Sequence, residues 1–371
     1  MKLLAYVHLH RLIAPTGVGR VIDEMVRGLG DLARVEILAR QVDVANIVPQ
    51  LDPAWHAFPA HSFKTSVSRQ QLRWLLTDRP TAESWWPDAE IVYSPSEAYV
   101  PVRRARSSVT IHDTAYFERD GHPKTAAVAW QRAKFALLHR KIARHVDMIH
   151  TVSTFSASRL AHFFPEMAPR IRVAHNGVSD FFRTAGANDD ALVALHNPDR
   201  RRFVLVPGGL SYRKNADLIL AAWPILSRQH PDLQLLVTSN SENRYSAAAD
   251  TQPSIKRLGF VDDTVLRALY RAADIVWFPS RYEGFGIPVI EAMACGTPVV
   301  AGNASSLPEI GGDAALYADI DDPNAHVALI DALLADSALC TSLTARGTER
   351  SALFTWRAAT TTLYGHLAEL L

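Results

Sequence analysis

The sequence predicts an α/β protein with two doubly wound domains, each a parallel sheet covered by helices on both faces. Short apolar, strand-like runs alternate with longer helix-like segments along the chain. A second strand–helix series begins at Arg202–Val206, and its first strand is followed directly by Pro207-Gly208-Gly209. The length of 371 residues also favours two domains, since a domain usually holds about 100–200 residues.

In the first half, each predicted strand is a short apolar run, and each predicted helix has apolar residues at helical spacing. The predicted strands are Leu3–His8, Val35–Ala39, Glu90–Tyr93, Val109–His112, Met148–Val152 and Ile171–Ala174, and the predicted helices are Gly19–Leu29 and Thr125–Arg144. The second half repeats the alternation. Its predicted strands are Arg202–Val206, Leu233–Thr238, Asp274–Phe278 and Pro298–Ala301, and its helices are Ala216–Arg228, Thr264–Ala272 and Ile287–Ala294.

The segment Ala185–Asp199 is polar, contains Gly186 and Pro198, and has weak periodicity, which predicts a linker. We therefore expect an N-terminal domain over residues 1–185 and a second domain over 186–355. Because ligands of open α/β sheets bind beyond the carboxyl ends of the strands, two such domains facing each other would form a cleft.

Composition excludes several classes of protein. With 48% hydrophobic and 21% charged residues, the chain is not a disordered protein, and no apolar run approaches the ~18 residues of a membrane span. The run Met1–His8 is too short for a signal peptide and lacks a cleavage site, so we expect a buried strand there. Two cysteines, Cys295 and Cys340, form neither a disulfide framework nor a four-ligand zinc site, which favours a reducing cytoplasm.

Charge is distributed unevenly. Residues 1–183 hold 24 Lys and Arg against 17 Asp and Glu, a charge of +7, and residues 184–371 hold 15 against 21, a charge of −6. This asymmetry indicates either an anionic partner of the first half or scattered surface charge. Nucleic-acid binding finds no support, because the net charge is only +1 and no continuous basic track is present.

Two motifs in the first half are candidates for a ligand site. Pro15-Thr16-Gly17-Val18-Gly19-Arg20 lies between a strand and a helix, where glycines and free N–H groups could meet an anion, although a plain tight turn has the same pattern. It lacks the third glycine of the dinucleotide fingerprint. His112 is predicted at the end of a strand, where its side chain could reach a substrate hydroxyl, or could be purely structural.

The second half carries the stronger signals. In Gly208–Asn215, a glycine turn is followed by Arg213 and Lys214 just before a helix, a combination suited to a diphosphate, although exposed cations are common there. In Ser280–Pro298, Glu283 lies in a glycine-rich loop and Glu291 follows eight residues later on a helix that begins near Pro288. Two carboxylates at this offset could hold two diols of one ligand, with the Gly-Phe-Gly amides facing the phosphates between them.

The run Tyr282–Pro298, with its Glu-x₇-Glu spacing, strongly resembles the retaining glycosyltransferases of family 4, which have the GT-B fold. Further matching segments are Val299–Ala301, Ser305–Glu309, Gly311–Tyr317, Arg213–Asn215, His175–Val178, Thr151–Ser153 and the N-terminal Gly17–Arg20. The resemblance extends over about residues 1–365. It implies two Rossmann-like domains, an acceptor-binding first domain, a donor-binding second domain, and a last helix over 356–371 that crosses back to the first domain.

The resemblance also implies residue roles. Glu291 would bind the ribose, Glu283 the sugar hydroxyls, and Arg213 and Lys214 the diphosphate, with His112 beside the transferred sugar. The implied donor-binding residues are Gly17, Gly19, Gly209, Arg213, Lys214, Gly284, Phe285, Gly286, Ile287 and Glu291, and the implied catalytic residues are His112, Arg213, Lys214 and Glu283. We expect Lys214 and Glu291 to lie on the surface of the cleft.

Cations and helix N–H groups can stabilise the leaving diphosphate without a metal ion, so no cofactor and no metal are expected. Retention of the anomeric configuration of the transferred sugar is implied by the resemblance alone. A double displacement would need a nucleophilic carboxylate, and none is identifiable, so we favour a front-face route in which the leaving phosphate takes the acceptor proton.

The expected donor is a nucleotide sugar. His112-Asp113-Thr114, Tyr116 and Gly302–Glu309 resemble the bacterial mannosyltransferase branch that builds surface polysaccharides such as lipopolysaccharide, which favours GDP-mannose over UDP- or dTDP-sugars. The expected acceptor is a glycan or a lipid-linked glycan. The basic segment Thr125–Arg144 could rest peripherally on an anionic membrane, or be a core-packed helix with a solvated face. A nucleotide-sugar epimerase, a phosphorylase and a non-catalytic nucleotide-sugar binding protein remain alternatives.

Overall fold

A computed structural model describes residues 1–13, 16–118 and 121–371. These residues form two compact units. The first unit comprises Met1–Phe117, Lys124–Gly177 and Trp356–Leu371, and the second comprises Glu118–Pro123 and Val178–Thr355. Each unit contains a parallel sheet flanked by helices, which confirms the predicted α/β class.

The described part of the first unit has a seven-stranded sheet. Its strands are β1 (Lys2–Tyr6), β2 (Arg34–Arg40), β3 (Ala60–Phe63), β4 (Ile91–Ser94), β5 (Arg106–Thr110), β6 (Met148–Thr151) and β7 (Ile171–Val173). They lie in the order β3-β2-β1-β4-β5-β6-β7, and neighbouring strands pair in parallel, with Leu4 between Glu36 and Val92. Its helices are α1 (Gly17–Gly30), α2 (Gln41–Ile47), α3 (Val67–Thr77), α4 (Ala126–His145) and α5 (Thr154–Phe163).

The edge strand β3 and the end of β5 show the clearest differences between this sheet and the sequence predictions. The edge strand β3 was not predicted, because only Phe63 of its four residues is buried and the apolar signal of a strand is missing. The predicted strand Val109–His112 ends earlier, at Thr110, because the N–H of His112 donates to the Glu97 carboxylate and not to a neighbouring strand.

The described part of the second unit has six strands. They are β8 (Arg202–Val206), β9 (Leu233–Thr238), β10 (Ile255–Gly259), β11 (Ile275–Phe278), β12 (Val299–Gly302) and β13 (Leu316–Ala318), in the order β10-β9-β8-β11-β12-β13. This is the order 3-2-1-4-5-6 of doubly wound sheets. Its helices are α6 (Asp180–Arg183), α7 (Asp189–His196), α8 (Ala216–Gln229), α9 (Asn243–Asp250), α10 (Asp263–Ala272), α11 (Ile287–Ala294), α12 (Leu307–Gly311), α13 (Pro323–Ala335) and α14 (Ser337–Ala352).

The predicted linker Ala185–Asp199 is wrong. It contains α7, whose Asp189 accepts a 2.8 Å hydrogen bond from Arg267 on α10 and thereby joins the second unit. The units change between Gly177 and Val178, before the predicted boundary at residue 185. Residues around α6 belong to the second unit because the Arg183 guanidinium donates to the Ser351 hydroxyl at 2.8 Å.

The last helix, α15 (Trp356–Ala368), belongs to the first unit and packs on α1, as the resemblance implied. The two helices approach closely at Gly28, where an added Cβ would lie 2.7 Å from the Thr360 hydroxyl oxygen. The chain thus returns to its first unit at its C-terminal end.

Within the described residues, no single helix is long and apolar enough to cross a membrane. Helices α13 and α14 reach that length and composition only as a pair bent by 100°, which is weak grounds for a span because buried core helices have the same properties.

Candidate functional site

The candidate site of the second unit is built on the loop between β8 and α8. Gly209 has φ +78°, and a Cβ there would lie 2.0 Å from the Asn240 carbonyl oxygen, so this turn requires glycine. Asn215, just before α8, is also left-handed, and its side-chain amide donates to the Ile320 carbonyl at 2.7 Å. The loop carrying Arg213 and Lys214 is therefore held at both ends.

Arg213 and Lys214 converge on one carboxylate. Lys214 Nζ lies 2.8 Å from Glu283 Oε1, and Arg213 Nη1 lies 3.3 Å from Glu283 Oε2. The Lys214 and Glu283 side chains are only 12% and 9% exposed, whereas Arg213 is 36% exposed. Two cations from one loop therefore face a single carboxylate from another.

The environment shifts the pKa values of both buried partners. Burial by itself raises the pKa of Glu283, but the charges of Arg213 and Lys214 outweigh it and hold the pKa below the usual range. Burial lowers the pKa of Lys214, with Arg213 adding to the effect and Glu283 opposing it. The Lys214 ammonium also lies 4.2 Å from the centroid of the Phe278 ring.

The loop that carries Glu283 is fixed by two serines after β12. The N–H of Glu283 donates to Ser305 Oγ, and Ser306 Oγ bonds to the carbonyls of Glu283 and Phe285, each at 2.9 Å. Sequence reasoning placed Ser305 and Ser306 in the resemblance but assigned them no role. The feature that could have indicated a role is their position directly after β12, the strand adjacent to β11.

Glu291 lies on α11, which begins as predicted at Ile287, with Pro288 in its first turn. The Tyr270 hydroxyl donates to Glu291 Oε2 at 3.1 Å, and the charge of Glu291 acts on Lys214. The expectation that Glu291 and Lys214 are surface residues is wrong: Glu291 is 3% exposed. Both side chains lie beneath the surface because each has a charged or polar partner from another element of the fold.

The structure thus brings Arg213, Lys214, Glu283 and Glu291 together around the carboxyl ends of β8 and β11. The remaining predicted donor-binding residues of this unit are Gly209, Gly284, Phe285, Gly286 and Ile287. The Phe285 side chain is buried and packs edge-on against Phe354, so its contribution to a ligand would come from its backbone.

The other predicted site residues lie in the first unit. His112 is 7% exposed, and its Nε2–H donates to the Pro95 carbonyl at 3.0 Å. Its own N–H donates to the partly buried carboxylate of Glu97, which sequence reasoning missed. Burial by itself raises the pKa of Glu97, but the His112 charge and N–H outweigh it and lower the pKa.

Gly17 and Gly19 begin α1. The N–H of Gly19 donates to the Thr16 hydroxyl at 3.1 Å, a helix cap that uses this amide. The preceding Pro15, part of the same predicted motif, lies outside the described residues. Across residues 1–13, 16–118 and 121–371, no group of three or more His, Cys, Asp and Glu side chains is arranged to hold a metal ion.

Comparison with protein families gives two matches. "Glycosyl transferases group 1" matches residues 189–350, and "Glycosyl transferase 4-like domain" matches residues 16–177. The chain is 29% identical over 298 residues to O-antigen chain mannosyltransferase B of Escherichia coli, which covers 76% of this chain and 77% of that protein.

Solved structures share the fold. Sucrose-phosphate synthase from Thermosynechococcus elongatus superposes with a TM-score of 0.80 at 19% identity, over 100% of this chain and 99% of that one. Anabaena HepE, solved in complex with UDP and glucose, superposes with a TM-score of 0.76 at 17% identity, over 100% of both chains. At these identities the likeness establishes the two-domain fold alone.

Proposed function

The chain belongs to the glycosyltransferases of the group 1 and 4-like type, and from that premise we propose that it transfers a hexose from a nucleoside diphosphate sugar to a glycan or lipid-linked acceptor. The observation that carries this proposal is the charged cluster in which Arg213 and Lys214 converge on Glu283. A diphosphate supplies the anion that such a cluster would bind through charge-assisted hydrogen bonds.

In the proposed reaction, the bond between the anomeric carbon and the diphosphate breaks, and negative charge develops on the leaving oxygens. Arg213 and Lys214 would stabilise that charge from fixed positions, since Glu283 and Phe278 already hold Lys214 in place. Glu291, held by Tyr270, would accept hydrogen bonds from the ribose hydroxyls. No metal ion is required in this proposal.

Retention through a front-face route agrees with the contacts of the two acids. Glu283 is engaged by two cations and Glu291 by Tyr270, so neither has the position of an uncommitted nucleophile. The leaving phosphate would then accept the proton of the acceptor hydroxyl. His112, fixed by Pro95 and Glu97, would contact the transferred sugar.

GDP-mannose is the donor that we favour, and its support is the likeness to an O-antigen chain mannosyltransferase. A UDP-sugar is the second candidate, favoured by the fold shared with HepE, which was solved with UDP and glucose. The acceptor that we favour is an intermediate of polysaccharide or lipopolysaccharide synthesis. If a lipid carries this acceptor, the reaction takes place at the inner face of the cell membrane.

Thermal-shift titration with GDP, UDP and dTDP tests the donor. A ligand at 100 times its Kd adds about 2.7 kcal/mol to the free energy of unfolding, a clear increase in Tm. We expect a shift with GDP. A shift with UDP and none with GDP would overturn the donor assignment, whereas no shift with any of the three would overturn donor binding itself.

Two activity measurements test the chemistry. Glu291→Ala should lower kcat/KM about 10- to 150-fold, because a charge-assisted contact contributes about 1.5–3 kcal/mol. Circular dichroism checks that this buried variant still folds. Product analysis distinguishes the alternatives: an epimerase would release a free epimer without any acceptor, and a non-catalytic binding protein would consume no donor.

A further inference from the structure

Helix α4 presents an unusual stripe to solvent. Trp130 is 72% exposed and Leu137 is 58% exposed, one heptad apart on the same face. Lys134, Arg140 and Arg144 are exposed at the neighbouring positions of that face. His139, Ile142 and Ala143 are buried on the opposite face, so the core of the unit does not account for the exposed Trp and Leu.

The structure pairs none of the cations of this stripe with an acidic side chain of the described residues. Helix α4 contains no Asp or Glu. Among the described residues, Lys134, Arg140 and Arg144 have no ion-pair partner, whereas Lys141 pairs with Asp78 at 2.8 Å. The stripe therefore combines free positive charge with two protruding apolar side chains.

A second helix has the same character. On α3, Leu72 is 54% exposed and Leu76 is 73% exposed at positions i and i+4, and the helix contains no acidic residue. The ion pair between Lys141 and Asp78, just after α3, connects the two helices. Exposed leucines on one helix and the stripe on its neighbour point to a partner with an extended anionic and apolar surface.

We propose that the α4 stripe, defined as Trp130, Lys134, Leu137, Arg140 and Arg144, binds an anionic lipid membrane peripherally. Trp side chains favour the headgroup level of a bilayer, and Leu beside them would enter the acyl boundary. Each cation near an anionic membrane surface strengthens partitioning about fivefold. The inference goes beyond the proposed function, because vesicle binding requires neither donor nor acceptor.

Co-sedimentation of the full chain with vesicles tests this surface. The protein should bind vesicles of phosphatidylglycerol and phosphatidylethanolamine, fail to bind pure phosphatidylcholine, and be released by high salt, which screens exposed charges. The triple variant Lys134→Gln, Arg140→Gln, Arg144→Gln should partition about 100-fold more weakly. The double variant Trp130→Ser, Leu137→Ser should lose about tenfold or more.

Matched control variants change the same residue types elsewhere. For charge, the control is Arg200→Gln, Arg228→Gln, Arg357→Gln, three exposed arginines outside α3 and α4. For apolar surface, the control is Leu195→Ser, Leu353→Ser, which are 75% and 67% exposed. Both controls should bind the anionic vesicles like the original protein.

Three results would overturn the proposal. They are failure of the unaltered protein to bind anionic vesicles, equal loss of binding in a control and in its matched stripe variant, and unchanged binding in both stripe variants. If the unaltered protein fails to bind anionic vesicles, an acidic protein replaces the membrane as the candidate partner of this face. A thermal shift with nucleotide that persists in the stripe variants separates failure of membrane binding from failure of donor binding.

Discussion

The two units share a strand order but place different chemistry at the carboxyl ends of their strands. In the second unit, Arg213 and Lys214 surround one carboxylate, Glu283. In the first unit, histidines follow two of the strands, with His8 after β1 bonded to the Tyr6 hydroxyl and His112 after β5 bonded to the Pro95 carbonyl. Burial lowers the pKa of His8 to about 3, so it is neutral at pH 7.

This difference teaches that the doubly wound sheet sets where polar groups can gather but not their charge. The second unit holds two cations against one carboxylate in a preformed cluster suited to a polyanion. The first unit offers the neutral His8 ring, the His112 ring and the Glu97 carboxylate, which are suited to hydroxyl groups.

The largest effect is expected from Lys214→Ala in the second unit. The loss of a charge-assisted contact to the diphosphate should lower kcat/KM about 10- to 150-fold and weaken the thermal shift with nucleotide. The matched control is Lys141→Ala in the first unit, which also removes a lysine from a 2.8 Å ion pair. Equal donor affinity of the two variants would contradict the assignment of the charged cluster.

Acid should destabilise the first unit through its buried histidines. Burial lowers the pKa of His139 to about 4, so the unfolded chain, with a pKa of about 6.5, takes up its proton first as the pH falls. The contribution of His139 to the free energy of unfolding is therefore fully present above pH 6.5. It decreases as the pH falls towards 4, by about 3 kcal/mol. Chemical denaturation from pH 7 to pH 4 measures the loss.

The variant His139→Phe should remove that part of the pH dependence, because the side chain lies among Phe117, Phe135 and Phe164 and Phe cannot titrate. The exposed His56→Gln serves as the control for the loss of one histidine side chain. A profile in His139→Phe as steep as in the original protein would refute the assignment.

A smaller difference in stability and in donor KM is expected between alanine variants of two fully buried serines, Ser306 and Ser156. Ser306 Oγ bonds to two carbonyls at 2.9 Å beside Glu283, whereas Ser156 Oγ bonds to the His112 carbonyl at 3.4 Å. Ser306→Ala should cost about 1–3 kcal/mol, because two buried carbonyls lose a donor, and should raise KM for the donor. Ser156→Ala should cost less and leave that KM unchanged. The reverse order of donor KM would contradict the positioning role of Ser306.

The smallest effect is expected from chelation. Because Arg213 and Lys214 take the place of a divalent cation in the proposed reaction, EDTA should leave transfer unchanged. Loss of activity with EDTA, restored by Mg²⁺ or Mn²⁺, would reject a metal-independent mechanism. Assays with fresh enzyme at fixed ionic strength keep screening constant between the two conditions.

Much of the second unit could be predicted from sequence. Strand β9 and helix α11 have the predicted bounds, because apolar runs and helical periodicity are local signals. The edge strands β3 and β10 and the helix α7 were missed, since their residues are partly exposed and carry a weak apolar pattern. The domain boundary was misplaced because residues 178–185 join the second unit through contacts distant in sequence, such as the hydrogen bond from Arg183 to the Ser351 hydroxyl.

The sequence by itself determined the fold class, the cations before α8 and the two acids around α11, because each depends on neighbouring residues. Tertiary structure alone decided which partners these charged side chains have. Glu283 meets Arg213 and Lys214 across 70 and 69 positions of the chain, and Glu291 meets Tyr270 across 21. Such pairs depend on which strands lie side by side, and that order follows from packing of the whole sheet, not from any local pattern.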